Sequence, residues 1–422
     1  MRLVAAAAVA VLLHAQPAVA QFTGHVSVIF DALPDLDDAE GRQSVTELRA
    51  RVFAERHDEI GAHLRIHVGG YVDGLIADRE SSGGMGTTTD AIVRPTDVYV
   101  DLVTTRVEVR AGASRVVWGR LDEFQPTDVV NPIDLARFLM EGRSEARLSE
   151  GLIRGRVFLP KSTVVEGIVV PAFRRGRFDQ LDEGSSPFNL TRTLIRTVRD
   201  EPAFGSESLQ GGVRLTSTSG RVDWSLSAFR GLRPFPTSTL TVDGAPLIRE
   251  SFPRFTMLGG DFETVHGQWG VRGEVAAFVD DELQSLRAVR GVRGHSVNAG
   301  VGVDRRAGDY RIAANALWLW GAVDRDDPAA RAFVGDEEVE RTDVSLVLAA
   351  DRSFARETRT LRVFGVYDPV DATMFTRVIG AVSLRDNWWI EGSAGVFTGT
   401  SIDVIGRLTR RDFAYARLKV FF

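Results

Sequence analysis

The sequence predicts an all-β fold: a transmembrane antiparallel up-and-down β-barrel of about 18 strands, with 16 as the alternative count, and a short helix in an inward-folding loop. Three observations predict it. Segments whose side chains alternate in character with a period of two run from one end of the chain to the other. Their apolar face is rich in Ala, Gly and Val, too small to fill the core of a soluble sandwich, while the opposite face carries charges of both signs, as a polar lumen does. Tight connections also alternate with long ones, as at the two rims of a membrane barrel.

At the N-terminus, Arg2 precedes an apolar run from Leu3 to Leu13, and Ala18-Val19-Ala20 has the A-x-A form of a cleavage site. Residues 1–20 therefore read as a cleaved signal peptide, with residues 21–422 forming the barrel. The run is too short for a membrane-spanning helix, and no second long apolar run follows it. The net charge of the chain is −6, a balance that gives no support for nucleic-acid binding. Nearly all the cationic charge is arginine, Lys161 and Lys419 being the only lysines, and arginine suits a lumen where its fork pairs with carboxylates. With no cysteine in the chain, thiol catalysis and thiolate metal sites are excluded.

Leu48, Ala50, Val52 and Ala54 alternate with Glu47, Arg49, Arg51 and Glu55, and Leu64, Ile66 and Val68 with His63, Arg65 and His67. Val98, Val100 and Leu102 follow the same rule, as do Val271 to Ala277, Ile312 to Trp320 and Val344 to Ala350. Short turns are expected at His57-Asp58, Thr104-Thr105, Pro160 to Ser162, Ser219-Gly220, His266-Gly267, Arg306 to Gly308 and Arg385 to Asn387. Long loops are expected at 77–91, 119–149, 173–207, 233–252, 281–290, 323–340 and 399–410. Trp224, Trp269, Trp318, Trp320, Trp388 and Trp389 fall near strand ends, where rings mark membrane interfaces. In the last segment Ala414, Ala416, Leu418, Val420 and Phe422 share an apolar face, opposite Tyr415, Arg417 and Lys419.

One stretch breaks the strand pattern. From Trp118 to Arg147 the chain is long, charged and partly helical. Asn131 reads as a helix N-cap, Pro132 as the first helical residue and Asp134 as a first-turn acid; the helix runs to about Glu141 and stops at Gly142. If this loop folds into the lumen, Arg120, Asp122, Glu123, Asp128, Asp134 and Arg137 are the candidate constriction residues.

The same stretch carries a resemblance. Val116-Val117-Trp118-Gly119-Arg120 through Pro126-Thr127-Asp128-Val129-Val130-Asn131-Pro132-Ile133-Asp134-Leu135 is similar to the W-G…P-x-D-x-x-N-P-x-D-L signature of a porin-like family of Gram-negative outer-membrane barrels, filed as a domain of unknown function. The ending Asp412 to Phe422 also resembles the last strand of such barrels, whose terminal aromatic, here Phe422, is read by the barrel-assembly machinery. The resemblance implies a barrel in the cell outer membrane, in contact with its lipid. It does not name a solute; lipids or hydrophobic compounds are suggested for some members.

Three functional classes follow. The first is a porin-like channel for passive passage of small polar or amphiphilic solutes through a charged lumen, with uptake or export of hydrophobic compounds or lipids as a variant. The second is a barrel hydrolase, which lacks a G-x-S-x-G segment and carries no assignable catalytic residue. The third is an adhesin, with Arg174, Arg175 and Arg177 beside Asp179, Asp182 and Glu183 as its surface. No cofactor and no metal ligand set is expected; His63 and His67, four apart on one strand face, form only a weak metal pair. The oligomeric state is not readable.

Overall fold

The computed structural model describes residues 22–36, 41–81, 84–179, 181, 183–242, 244–285, 289–324, 340–400 and 403–422; the signal peptide expected at residues 1–20 and Asp182 lie outside them. Eighteen strands form one closed antiparallel barrel. In chain order these are β1 (Thr23–Leu33), β2 (Arg42–Ile60), β3 (Leu64–Ser81), β4 (Gly84–Val103), β5 (Val107–Ser114), β6 (Glu150–Leu159), β7 (Thr163–Val170), β9 (Gln210–Ser219) and β10 (Val222–Leu232). They continue with β13 (Arg254–His266), β14 (Trp269–Ser285), β15 (Arg290–Ala307), β16 (Tyr310–Val323), β17 (Glu340–Phe354), β18 (Arg359–Asp368), β19 (Thr373–Arg385), β20 (Trp388–Thr398) and β21 (Phe413–Phe421). Each pairs with the next, and β21 closes on β1, where Gly24 and Phe422 exchange backbone hydrogen bonds of 3.1 Å. Closure removes the free edges that would otherwise offer unpaired backbone to other chains. A small second sheet of β8 (Arg196–Asp200), β11 (Thr237–Thr241) and β12 (Leu247–Ser251) sits in the longer connections.

Eight tight turns and both ends of the barrel chain lie at one rim; we call this the turn end and the other the loop end. Several expected boundaries move. His57 and Asp58 belong to β2, whose turn comes at 61–63 with Gly61 at φ +64°. Stretches 77–91 and 281–290, expected as loops, are for the most part continuations of the β3–β4 and β14–β15 hairpins beyond the rim. A turn at 355–358 escapes the sequence because Ala355, Arg356 and Glu357 all adopt left-handed backbone (φ +53°, +56° and +65°) without any of the residue types that favour it.

The period-two pattern resolves into two environments. Outward positions such as Phe30, Val72, Ile153, Leu226, Leu258, Val301, Ile312, Leu348 and Ile390 are exposed. An apolar belt running around the whole wall far exceeds what a soluble monomer leaves in water, and it fits the hydrocarbon of a bilayer. No described helix is long and apolar enough to cross a membrane, and the barrel crosses with its strands. Trp224, Trp269 and Trp388 lie at the turn end of their strands and Trp318 and Trp320 near the loop end, whereas Trp389 shares the inward face of β20 with Glu391.

Inside, the lumen is not an empty tube. Two apolar clusters fill part of it. One gathers Val116, Trp118 and Val130 against Leu152, Ile168, Phe229, Phe255, Met257 and Phe278 of the wall. The other packs Ala136, Leu139 and Met140 against Ile29, Val45, Val347, Phe364, Phe375, Phe397 and Phe413. Both draw on the β5–β6 connection, which folds inward and carries the helices α1 (Leu135–Met140) and α2 (Arg143–Ala146); the second also takes in Leu36, Phe188 and Leu408 from other connections.

Candidate functional site

The candidate site is this inward loop and the wall it touches. The loop leaves the barrel at Ser114 and returns at Glu150, which are direct partners in the β5–β6 ladder. Its two legs are held side by side by Asn131. The Asn131 amide accepts from Val116 N (2.6 Å) and donates to Ser114 O (3.2 Å) and Leu148 O (2.8 Å).

That arrangement corrects the helix assignment. Asn131 does not cap the helix and Pro132 is not its first residue; Pro132 instead accepts Leu148 N through its carbonyl (2.8 Å). The N-cap is Asp134, whose carboxylate accepts Arg137 N at 3.1 Å. Both residue types cap well, and the tertiary demand of pairing the two legs takes Asn131 away from the helix. The stop is as expected: Gly142, at φ +106°, donates to Arg137 O (3.0 Å) in the left-handed conformation that glycine adopts at little cost.

Between Trp118 and Thr127 the loop crosses the lumen. Trp118 Nε1 donates to Glu166 of β7 (2.8 Å). At the far wall Glu274 of β14, only 5% exposed, accepts Arg120 N (2.9 Å), Leu121 N (3.3 Å), Thr127 N (2.7 Å) and Thr127 Oγ1 (2.8 Å). Gly119 makes this cradle possible: its φ is +90°, and a Cβ there would sit 2.5 Å from Glu274 Oε1.

The six residues expected at the constriction are all in or against the lumen; five make ion pairs, and Asp134 accepts the backbone N–H of Arg137. Arg120 bonds Asp261 (2.6 Å) and Glu263 (3.2 Å) of β13. Asp122 meets Arg311 of β16 (2.8 Å) and Arg272 of β14 (3.5 Å), and Glu123 meets Arg362 of β18. Asp128 pairs with Arg147 across the loop and accepts Trp118 N (3.2 Å). Arg137 binds Glu141 (3.2 Å) and Glu145 (3.4 Å) on its own side of the lumen. Glu141 continues to Arg417 of β21 (2.5 Å), and Arg377 of β19 donates to the carbonyls of Phe138 (3.1 Å) and Leu139 (2.6 Å).

The loop charges are strongly biased by these surroundings. Burial and the nearby Asp179 carboxylate push the Asp134 carboxyl up to about 6. Burial opposes the charge on Glu141 too, but Arg137 and Arg417 outweigh it and hold that carboxyl well below the usual range.

A second segment closes over α1. Leu135 N and Ala136 N donate to Arg177 O (2.8 Å) and Phe178 O (3.0 Å), and Arg177 N donates to Ile133 O (2.9 Å). Glu183 binds Arg175 (2.5 Å) and Arg177 (2.9 Å), while Asp179 reaches Arg49 of β2 (3.1 Å). The charges singled out as an adhesive surface thus face inward in part, beside buried Phe178, Leu181 and Phe188.

Two cavities border the loop. One, of about 370 Å³, is lined by Phe124, Val129, Phe255, Phe278 and Leu317 together with Gln125, Asp128, Asn131, Arg233 and Asp343. The other, of about 280 Å³, is lined by Arg51, Arg115, Arg137, Arg147 and Arg174 with Glu55, Glu145, His25 and Tyr71. Asp128 belongs to the first wall and Arg147 to the second, so the Asp128–Arg147 pair, joined by Gln125 at 3.3 Å from Arg147, stands where the two meet. Sequence reading reached the loop side of these contacts but not Glu274, Arg147, Arg311, Arg362 or Arg377. All five are polar residues among many others, and only the path of the loop selects them.

No family model matches the chain, and no curated protein matches it. Among solved structures it is similar to OccK7 (OpdD) of Pseudomonas aeruginosa, with 11% identity over 95% of this chain and 98% of that one at a TM-score of 0.52. OccAB1 of Acinetobacter baumannii is 10% identical over 95% and 96% of the two chains (TM-score 0.51). OccAB3 of the same organism is 7% identical over 96% and 100% (TM-score 0.50). The likeness is one of fold: a closed 18-strand antiparallel barrel of the porin kind.

Proposed function

We propose that the protein is a porin-like channel of a Gram-negative outer membrane, passing small polar or amphiphilic solutes without an energy source. The observation that carries this reading is the pair of cavities, about 370 and 280 Å³, that face each other across the inward loop with one ion pair between them. At roughly 30 Å³ per water these hold on the order of ten waters each, the scale of a small metabolite rather than a polymer. The loop-end cavity combines aromatic and aliphatic walls with Gln125, Asp128 and Arg233, which suits a solute with one apolar and one polar face. Passage requires Asp128 and Arg147 to separate, so the pair acts as a side-chain gate, while the pairs of Arg120, Asp122, Glu123 and Arg137 fix its frame. The barrel's lipid belt and the porin fold support the outer-membrane location.

Reconstitution in planar bilayers tests the proposal. The expected record is small, discrete conductance steps that a charge swap at positions 128 and 147 preserves and a single neutralisation enlarges. A barrel that inserts with full strand content but passes no current at any voltage would refute the channel reading.

A further inference from the structure

Outside the loop, one cluster near the turn-end mouth has the donor set of a metal site. Glu55 and His57 are successive inward positions on β2, and His57 is the direct register partner of His67 on β3. Their ring centroids lie 4.0 Å apart, with His57 Nε2 2.6 Å from His67 Nδ1. The other ring nitrogen, His67 Nε2, is buried without a hydrogen-bond partner and lies 3.7 Å from Glu55 Oε2. That is too long for a hydrogen bond and close to the separation of two ligands on one ion. One donor atom from each of the three residues lies within 4.8 Å of the others.

Two neighbours hold this arrangement. Tyr99 stacks on the His67 ring at 5.0 Å and 12°, which fixes its plane. Gly69 keeps the space beside it open: a Cβ at that position would stand 3.3 Å from His67 Nε2, 3.4 Å from Glu55 Cβ and 2.9 Å from Thr96 Oγ1. A bond length of about 2.0–2.2 Å to nitrogen or carboxylate oxygen sets tetrahedral donors roughly 3.4 Å apart. For the three donors to reach that spacing the His57 ring must turn out of its contact with His67, and three protein ligands leave a fourth tetrahedral position for water.

We propose that Glu55, His57 and His67 bind one late first-row divalent cation, Zn²⁺ being the simplest probe. Two imidazoles and one carboxylate suit that class, whereas magnesium and calcium prefer all-oxygen shells. Because Glu55 also lines the arginine-rich cavity, the ion would add positive charge at the throat through which solutes meet Arg51, Arg137 and Arg147. The site stands whether or not the barrel conducts, so its test is a binding measurement.

The experiment uses the full barrel, free of any histidine tag, in detergent. Zn²⁺ titration calorimetry is run beside Co²⁺ absorption, which reports imidazole ligation directly. Expected are one saturable site per barrel and visible Co²⁺ bands. His57→Ala and His67→Ala should each weaken binding by at least about tenfold, with Glu55→Gln losing less. His63→Ala is the control: His63 sits in the turn with Nδ1 2.9 Å from Val103 O, and its loss should leave binding intact. Strand content and heat-modifiable migration identify any variant that fails to fold; for those, His57→Gln replaces alanine. Absence of saturable binding in the wild type, or binding that survives the His57→Ala, His67→Ala double change, would overturn the proposal.

Discussion

Glu274→Gln should detach the loop from the far wall almost as effectively as Glu274→Ala. In the native carboxylate Oε2 accepts Arg120 N and Leu121 N while Oε1 accepts Thr127 N and Thr127 Oγ1, so both oxygens are fully used. A glutamine keeps one acceptor for Arg120 N and Leu121 N and turns its amide N–H groups toward Thr127, whose hydroxyl can reverse to accept one while its backbone N–H is left facing a donor. Hydrogen bonds to a charged acceptor contribute about 1.5–3 kcal/mol each and neutral ones about 0.5–1.5, so losing one and neutralising the other three costs about 4–7 kcal/mol of local docking energy, less whatever water recovers. Alanine loses four bonds but leaves room for water, which brings its cost down toward the same range. The barrel itself should not weaken, because the β13–β14 and β14–β15 ladders are untouched. Single-channel recording is the assay: both variants should show larger and noisier steps than wild type. If Glu274→Gln records like wild type while Glu274→Ala does not, the four-bond cradle is not what holds the loop.

Four further outcomes are expected. Replacing Arg115 to Ser149 by a two-residue turn should leave a barrel that still closes, because Ser114 and Glu150 are already ladder partners; 18 strands about 4.8 Å apart and tilted near 40° give a backbone radius of about 18 Å, so its conductance should rise many-fold. Neutralising Arg147 alone should shift ion selectivity toward cations by leaving Asp128 uncompensated, and the swap Asp128→Arg, Arg147→Asp should restore the wild-type reversal potential. Asp134 titrates higher in the folded protein than unfolded, so its contribution to stability is fully present below about pH 4 and lost as pH rises through about 6. Thermal unfolding should therefore show wild type gaining about 1.4 kcal/mol between pH 8 and pH 5, roughly half of the full effect, and Asp134→Asn, still a capping residue, gaining little. Phe422→Ala retains both backbone bonds to Gly24, so detergent refolding should proceed normally while assembly in cells falls; equal assembly in cells would deny the terminal ring a recognition role.

The barrel was legible because its information is local and repeated. Each strand states its two faces in its own residues, as Leu48 to Ala54 do against Glu47 to Glu55, and a strand count needs only that rhythm. The loop was legible as an interruption, and its charged residues as residues with work to do. Their partners were not. Asp122 has Arg311 and Arg272 available only because residues 189 and 150 positions away share a wall. The helix start misread for a related reason: Asn131 and Asp134 are equally good caps locally, and the choice was made by Val116 on the outgoing leg and Leu148 on the returning one. His67 shows the same limit. Its partner is not His63, four residues away on the chain, but His57, ten residues away and opposite it across the hairpin.

The division of labour along the loop bears on which part can move. Its two ends are seated by apolar burial, Val116, Trp118 and Val130 in one cluster and Ala136, Leu139 and Met140 in the other. Such burial contributes about 25 cal/mol for each Å² removed from water and is indifferent to ionic strength. The excursion from Arg120 to Asp128, which leaves and rejoins the first cluster between Trp118 and Val130, buries Leu121 and is otherwise held by ion pairs and hydrogen bonds to the wall, of which Asp122–Arg311 and Glu123–Arg362 keep partial exposure. Partly exposed pairs contribute little net stability and are screened by salt, so they set the register of the segment more than they hold it down. Buried Glu274 and the buried Arg120–Asp261 and Asp128–Arg147 pairs are not screened in this way and fix the arrangement. A loop anchored apolarly at both ends and pinned electrostatically in the middle can shift its middle without leaving the lumen. The Asp128–Arg147 pair at the end of that middle is itself buried and little screened, so raising the salt concentration should increase the noise of the open state through the exposed pairs while leaving the frequency of opening nearly unchanged.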